Sequence, residues 1–399
     1  MSLRRKLAII AVVYVIEGFP MGVYQDLFFV FFRREGVSLS VIGTLYGLKL
    51  AWSAKVLWSP LVDRFGERRQ WIAGCLVVMA ACLLLLINTD AGRLGPEVWL
   101  LLALFCLASA TQDVAIDAYT IGLVERGEEG PANGMRVTAY RVGLIAAGGG
   151  LLYLTQWIGW SGVFGAAALI SLAMAGAVFA CPRVSVPIES RRETIRPMRR
   201  WLGREGALTV FGFVLLYRIG DLAMGPMVKT FWVDRGFADA QIAFVSGTLG
   251  VVATVLGAIA GAVIVSRSGI RRSLWVLGGL ALASNLGYAG AALAPESARA
   301  PVYAASLLES FCAGLASAAF LSFLMRICEK EHAAVQYALL TAIYALPGSF
   351  VAVASGWLTE QVGYAAYFTA TAAIALPAFA FLPRASAWID SEPEPASPA

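Results

Sequence analysis

Charged side chains interrupt the long apolar stretches of this sequence, and they are the residues whose types can do chemistry. A charged residue at the centre of a membrane-spanning helix costs roughly 2.5–3.5 kcal/mol on insertion scales, so such residues normally face a bundle interior or a water-filled path. They are Glu17, Asp26, Lys49, Lys55, Asp113, Asp117, Arg136, Arg141, Arg218, Asp221, Lys229 and Glu309. In this setting, carboxylates can relay protons and cations can hold the anionic groups of a solute.

Bond-breaking chemistry is not indicated by the sequence. It contains no pairing of a nucleophile with a base and no cluster with metal-ligand spacing. Its six cysteines form no CxxC motif and lie within or at the ends of apolar runs. We therefore predict no enzymatic activity, no cofactor and no metal site.

The composition requires a membrane around these residues. Of the 399 residues, 59% are hydrophobic and only 14% are charged, against roughly 25% charged in soluble domains. This excludes a soluble enzyme, a nucleic-acid binder and a disordered scaffold. The net charge of +5 reports membrane topology rather than nucleic-acid binding. The partners that we expect are the lipid bilayer, a small solute and protons, and we expect a monomer.

Twelve stretches have the roughly 20 apolar residues that one membrane crossing needs. They cover about 7–32, 40–61, 71–88, 97–118, 132–156, 160–181, 207–233, 240–265, 274–294, 301–326, 334–358 and 362–382. The loops on one side carry 20 basic residues and those on the other side carry five. The positive-inside rule therefore predicts a multi-pass membrane protein with both termini in the cytoplasm.

The sequence also repeats itself at a nearly constant separation. The loop 63–69 matches the loop 266–272, Tyr14 matches Tyr217, and Gly36 matches Gly236. This predicts an all-α polytopic fold with two pseudo-symmetric six-helix halves. We assign residues 1–181 to the N-terminal half, 182–206 to a basic cytoplasmic linker, 207–385 to the C-terminal half and 386–399 to a disordered tail.

Several strings carry a family resemblance. Asp63-Arg64-x-Gly66-x-Arg68-Arg69 resembles the loop signature of the major facilitator superfamily, and Gly66 permits the tight turn that it needs. The strings 55–64, 112–118, 140–143, 217–221 and 336–340 resemble the AmpG-type muropeptide permeases, whose wider family includes siderophore and acetyl-CoA transporters. The resemblance implies the major facilitator fold and proton-coupled import of a sizeable polar or anionic molecule.

Two alternatives stay open at this stage. The opening Glu17-Gly18-Phe19-Pro20 is closer to the siderophore and acetyl-CoA type, which leaves a ferric siderophore importer possible. A non-transporting membrane receptor or assembly factor on a facilitator scaffold is the alternative from another class. It requires that neutralising the mid-membrane charges leave function intact.

Three roles are assigned to the candidate residues. For proton coupling we assign Asp113, Asp117, Glu17 and Asp221; for substrate binding, Lys49, Arg218, Tyr14, Tyr217 and Gln112; and for a cytoplasmic gate, Lys55, Asp63, Arg64, Arg68, Arg136 and Arg141. By position along the spans, Glu17, Lys49, Arg218 and Asp221 fall near mid-membrane, and a second layer toward the cytoplasmic end consists of Lys55, Asp113, Asp117, Arg136 and Arg141. Two simpler interpretations remain: Arg218 and Asp221 pair only with each other, and the residues of the second layer form a static ion-pair cluster.

Overall fold

The structure of the chain is a computed structural model that describes residues 1–89, 94–125, 128–184, 203–328 and 333–390. The side chains of a few helical residues, Asp63 and Arg64 among them, lie outside this description. Within the described ranges all regular structure is helical and no β-strand occurs. The predicted all-α class is confirmed.

Nine helical segments of the described chain are long and apolar enough to cross a membrane. Their bounds are Leu3–Arg34, Arg68–Leu86, Pro96–Leu123, Pro131–Val178, Ala207–Asp234, Asp239–Ser268, Ile270–Leu293, Ala300–Arg326 and Leu339–Ala385. The protein is therefore a multi-pass membrane protein.

Two of these segments are too long for one crossing. Pro131–Val178 has 48 residues and Leu339–Ala385 has 47, which is about 70 Å of helix at 1.5 Å per residue against a hydrocarbon core about 30 Å thick. Each breaks at a glycine with positive φ, Gly159 in the first and Gly363 in the second. The predicted second span, 40–61, is instead divided into short helices by 3₁₀ turns at Gly47–Lys49 and Lys55–Leu57. The count of twelve spans stays a prediction.

Glycines with positive φ support the internal repeat. Six of the seven among the described residues fall into pairs separated by 200, 203 and 204 residues: Gly36 with Gly236, Gly66 with Gly269, and Gly159 with Gly363. Only glycine adopts this backbone conformation without steric cost. The expected tight turn at Gly66 is confirmed, since its φ is 71°.

Contacts divide the chain into two compact units. The first comprises Met1–Ile188 together with Val228–Val251, and the second comprises Glu189–Met227 together with Val252–Ala399. Residues 228–251 thus pack with the N-terminal part of the chain. The predicted boundaries of the two halves stay a prediction, and most of the linker 182–206 and of the tail 386–399 lies outside the described residues.

Small residues bring the helices of the first unit close together. The helix Leu3–Gly22 packs against Glu129–Leu144, and a Cβ atom on Gly18 would overlap the carbonyl oxygen of Tyr140. Small residues at helix interfaces allow the backbones in membrane proteins to approach this closely. The approach positions Glu17 and Arg136 on neighbouring helices at the candidate site.

Candidate transport site

Three carboxylates from two helices meet inside the first unit. Glu17 lies on the Leu3–Gly22 helix, while Asp113 and Asp117 lie one turn apart on the Pro96–Leu123 helix. One oxygen of each lies within 4.8 Å of the others. We call these three residues, with the cations described next, the carboxylate cluster.

Two cations and one hydroxyl compensate part of this charge. The Lys55 ammonium pairs with Asp113, and the Arg136 guanidinium lies 2.6 Å from Oδ1 of Asp117. The Tyr14 hydroxyl donates to the same Asp117 oxygen at 2.8 Å. With all three acids ionised, the cluster carries three negative and two positive charges. One proton or one monovalent cation makes it neutral.

The geometry indicates where a proton fits. One carboxylate oxygen of Glu17 lies within 4.8 Å of one oxygen of Asp113, so a proton on one of these two groups would relieve the repulsion between them. Oε2 of Glu17 is buried and has no hydrogen-bond partner within the described chain. The same three carboxylates are also the residues that can hold a metal ion, but a divalent ion would leave the cluster with an excess positive charge.

The structure corrects the two-layer arrangement at Glu17. This residue lies with Asp113 and Asp117 and not in a separate layer above them, because position along a span does not give depth when helices tilt and pack closely. Lys55 and Arg136 take part in the ion pairs expected of gate residues, whereas Arg141 forms no ion pair with any described residue.

The contacts of the other gate and substrate-binding candidates in the first unit differ from residue to residue. Arg68 donates to the carbonyl of Val62 at 2.7 Å, and the side chains of Asp63 and Arg64 lie outside the described ones. Gln112 is fully buried, and neither amide atom has a partner in the described structure. Lys49 lies over the ring of Tyr46, with Nζ 5.2 Å from its centroid.

The second unit holds a smaller polar site. Nε of Arg218 lies 2.7 Å from Oδ2 of Asp221, and its NH1 donates to Ser317 Oγ at 2.6 Å. Asn285 donates to Asp221 at 3.1 Å, and its own carbonyl oxygen is buried without a donor among the described residues. A void of about 10 Å³ borders this site, which is about the space of one water. Arg218 and Asp221 thus form an ion pair, but not with each other alone, and their roles in substrate binding and proton coupling stay predictions.

The tyrosines at equivalent positions of the repeat differ in their surroundings. Tyr14 belongs to the carboxylate cluster, whereas the Tyr217 hydroxyl donates to the carbonyl of Leu274 at 2.8 Å and its ring stacks on Phe320. Tyr217 is 5% exposed and belongs to an apolar core. Substrate binding by Tyr217 and Gln112 stays a prediction.

Sequence reasoning missed a set of ion pairs at the other end of the Leu3–Arg34 helix. Lys229 Nζ lies 2.8 Å from Asp26, Arg33 contacts Asp234 through two nitrogens at 2.5 and 2.7 Å, and Arg34 lies 2.9 Å from Asp239. We call these three pairs the outer ion pairs. All six residues belong to the first unit. The sequence contains a signal for these pairs, because the cations and the anions occur in corresponding parts of the internal repeat.

Ion pairs also connect the loops at the end that carries the N-terminus. The buried Lys6 lies 2.8 Å from Glu128 and 2.6 Å from Glu125, and its hydrogen bond lowers the pKa of Glu128. In the signature loop, a hydrogen bond from Arg69 lowers the pKa of Glu67. Arg69 also donates to the carbonyl of Cys181 at 2.8 Å. This arginine is not among the predicted gate residues. It connects the signature loop to the chain beyond Val178.

Comparison with known proteins defines the class of protein. The family model described as Major Facilitator Superfamily matches residues 9–352. The chain belongs to this superfamily and is a membrane transporter, as its relatives are, rather than an enzyme. The anhydromuropeptide permease of Escherichia coli (strain K12) is 29% identical over 386 residues, which cover 94% of this chain and 78% of that protein.

Solved structures agree on the fold. A bacterial homologue of the human lysosomal transporter Spinster, in an inward-facing and unoccupied conformation, is similar with a TM-score of 0.78 at 15% identity, and the match covers 99% of each chain. The nucleoside transporter NupG is similar with a TM-score of 0.71 at 14% identity, covering 98% of this chain and 100% of that chain. At these identities the likeness concerns the fold alone.

Proposed function

We propose that the chain imports an anionic solute of the anhydromuropeptide type, in symport with protons, across the inner membrane of a bacterium. Both termini lie in the cytoplasm in this proposal. The observation that carries it is the carboxylate cluster, in which Glu17, Asp113 and Asp117 each place one oxygen within 4.8 Å of the others and only two cations pair with them.

The charge balance supports proton coupling. An uncompensated carboxylate inside a membrane protein is costly, so a cluster with one excess negative charge is most stable when it holds one proton. A carrier that passes between outward-open and inward-open states can then take this proton from one side and release it on the other. Asp113 is the central member, because it contacts Lys55 and approaches Glu17.

Similarity to a known permease and the charges of two residues support the proposed class of solute. The Escherichia coli relative is named for anhydromuropeptides, and this name favours a muropeptide over a ferric siderophore. Lys49 and Arg218 are the cations that we assign to the anionic groups of the solute. Because Arg218 is paired with Asp221, we propose that a carboxylate of the solute replaces Asp221 as the partner of the guanidinium.

The outer ion pairs fit a barrier on the periplasmic side. They join the end of the first helix to residues 229–239 of the same unit. Breaking them is required for the outward-open state of an alternating-access carrier, so they set part of the balance between states.

The experiment that tests this proposal uses the purified full chain in liposomes. We expect an inward proton gradient to drive accumulation of a radiolabelled anhydromuropeptide, and an inward sodium gradient of equal size to drive none. The variant Glu97→Gln serves as the matched control, since Glu97 is exposed on the same helix as Asp113. Accumulation driven by sodium alone, or no uptake of the solute under either gradient, would overturn the proposal.

A further inference from the structure

One carboxyl group in the second unit has no cationic partner among the described residues. Glu309 lies in the Ala300–Arg326 helix and is partly buried. Its one hydrogen bond within the described structure comes from the neighbouring Ser310 hydroxyl, at 3.5 Å. None of the described cations lies within ion-pair distance of it. An ionised Glu309 would therefore be an uncompensated charge in a membrane-spanning helix, which is costly.

The groups near Glu309 do not supply the missing positive charge. Arg218 and Asp221 both act on it electrostatically, and the thiol of Cys312 lies one turn along its own helix. The Arg218 guanidinium is already engaged by Asp221 at 2.7 Å. On the Ile270–Leu293 helix, the neutral amide of Asn285 donates to Asp221.

The other helices of the second unit bring no charge that balances it. The Gly250–Ser268 helix has one charged residue, Arg267, at its far end. In the Ala333–Ile374 helix the charged residue is Glu360, and Tyr344 is the tyrosine that acts on Arg218. The polar site of the second unit thus has two carboxyl groups for one cation. The carboxylate cluster of the first unit has the same excess of one negative charge.

We infer that Glu309 is a second proton-binding site, so that each unit carries one exchangeable proton and the transport cycle moves two protons per solute. This inference rests on the proposed function for its role in transport. The step itself is simple: a carboxylate oxygen of Glu309 takes a proton from water on one side of the membrane, and the carboxyl group returns it to water on the other side.

Infrared difference spectroscopy of the purified full chain tests the site without any solute. We expect the carboxyl C=O stretch of wild type at neutral pH to contain contributions from two protonated buried groups. Glu309→Gln removes one of them, Asp113→Asn removes the other, and the double variant removes both. Glu296→Gln is the matched control, because Glu296 is exposed in the loop just before the same helix, and it leaves both contributions unchanged.

Glu309→Asp distinguishes loss of the carboxyl group from a folding defect caused by substitution at this position. This variant keeps the carboxyl group, so we expect its contribution to persist at a shifted frequency. If Glu309→Gln has the wild-type carboxyl spectrum, the inference is wrong. It is equally wrong if Glu309 is ionised at neutral pH, as a group that holds a cationic part of a solute would be.

A second measurement gives the proton count. In liposomes held at zero membrane potential, the pH gradient that just stops uptake of an anhydromuropeptide at a fixed solute gradient depends on the number of protons moved per solute. We expect two for wild type and one for Glu309→Gln; the same count in both contradicts the inference. Failure of wild type to transport this solute would overturn the proposed function, whereas the infrared result would still decide the protonation of Glu309.

Discussion

Asp26 and Lys229 form an ion pair of 2.8 Å although they are 203 residues apart, the same separation as between Tyr14 and Tyr217. They therefore occupy equivalent positions of the internal repeat and carry opposite charges. Inverted or parallel repeats bring equivalent helices together around a shared axis, and here that contact is electrostatic. Both residues are mostly buried, with 17% and 13% of their side chains exposed.

Breaking this pair should favour the outward-open state. Lys229→Met leaves the Asp26 charge without its partner and shifts the equilibrium by about 1–3 kcal/mol, the usual size of such a coupling free energy. We expect cysteines introduced on the periplasmic side of the cavity to react faster with an impermeant thiol reagent. The exchanged pair Asp26→Lys with Lys229→Asp should return the rate toward wild type. An unchanged rate in Lys229→Met would show that the pair does not hold the barrier closed.

Helix packing in the first unit predicts a sharp contrast between two glycines. A Cβ atom on Gly18 would overlap the Tyr140 backbone, whereas one on Gly74 meets nothing within 4 Å. Overpacking costs about 1–3 kcal/mol, while alanine stabilises an open helical position by up to about 1 kcal/mol relative to glycine. Gly18→Ala should therefore lower the free energy of unfolding in mixed detergent micelles and Gly74→Ala should not. Equal stability of the two variants would contradict the close helix crossing.

The N-terminal ion pair predicts a pH dependence of stability. Because the pKa of Glu128 is lowered by the hydrogen bond from Lys6, the carboxylate is bound more tightly in the folded state than its protonated form. The contribution of this ion pair to the stability of the folded state is present above the usual glutamate pKa of about 4.3. It is lost as the pH falls through the lowered pKa of Glu128. Glu128→Gln should lower the Tm at pH 7, and the difference from wild type should disappear in acid.

Glu125 provides the control for that measurement. It contacts the same ammonium but its side chain is 74% exposed, and exposed ion pairs contribute little to stability. Glu125→Gln should therefore leave the Tm nearly unchanged at every pH. A Tm difference for Glu128→Gln that persists unaltered in acid would mean that its charge is not the cause.

Arginine at position 218 should not be replaceable by lysine. The guanidinium contacts Asp221, Ser317 and the carbonyl of Ala313 at once, and a lysine ammonium cannot reproduce this planar arrangement. We expect Arg218→Lys to lower the initial rate of anhydromuropeptide uptake by about tenfold, which corresponds to about 1.4 kcal/mol. Arg267→Lys, an exposed exchange in the same unit, should have no effect. If Arg218→Ala takes up the solute at the wild-type rate, Arg218 is not a substrate-binding residue.

The sequence predicted the class of fold and much of the candidate site, and particular residues explain what it missed. Apolar stretches and the repeated glycines predicted the helices and turns, because these depend on local composition. The signature residues Lys55 and Asp113 were expected near one surface, and they pair. The meeting of Glu17 with Asp113 was not predicted, since it depends on how the Leu3–Gly22 helix packs against the Pro96–Leu123 helix. The outer ion pairs were missed because Asp26 and Lys229 were identified as charges within spans without a partner being assigned, while Arg33 and Arg34 were interpreted as topology signals.

The central claim is that movement of the solute is coupled to a proton held by the carboxylate cluster. It is tested most directly by adding an anhydromuropeptide to weakly buffered, de-energised right-side-out vesicles and recording the external pH. Wild type and Glu97→Gln should make the medium more alkaline as protons enter with the solute. Asp113→Asn should give no pH change while still exchanging labelled for unlabelled solute across the membrane. An alkaline shift of wild-type size in Asp113→Asn, at equal protein content, would contradict the account.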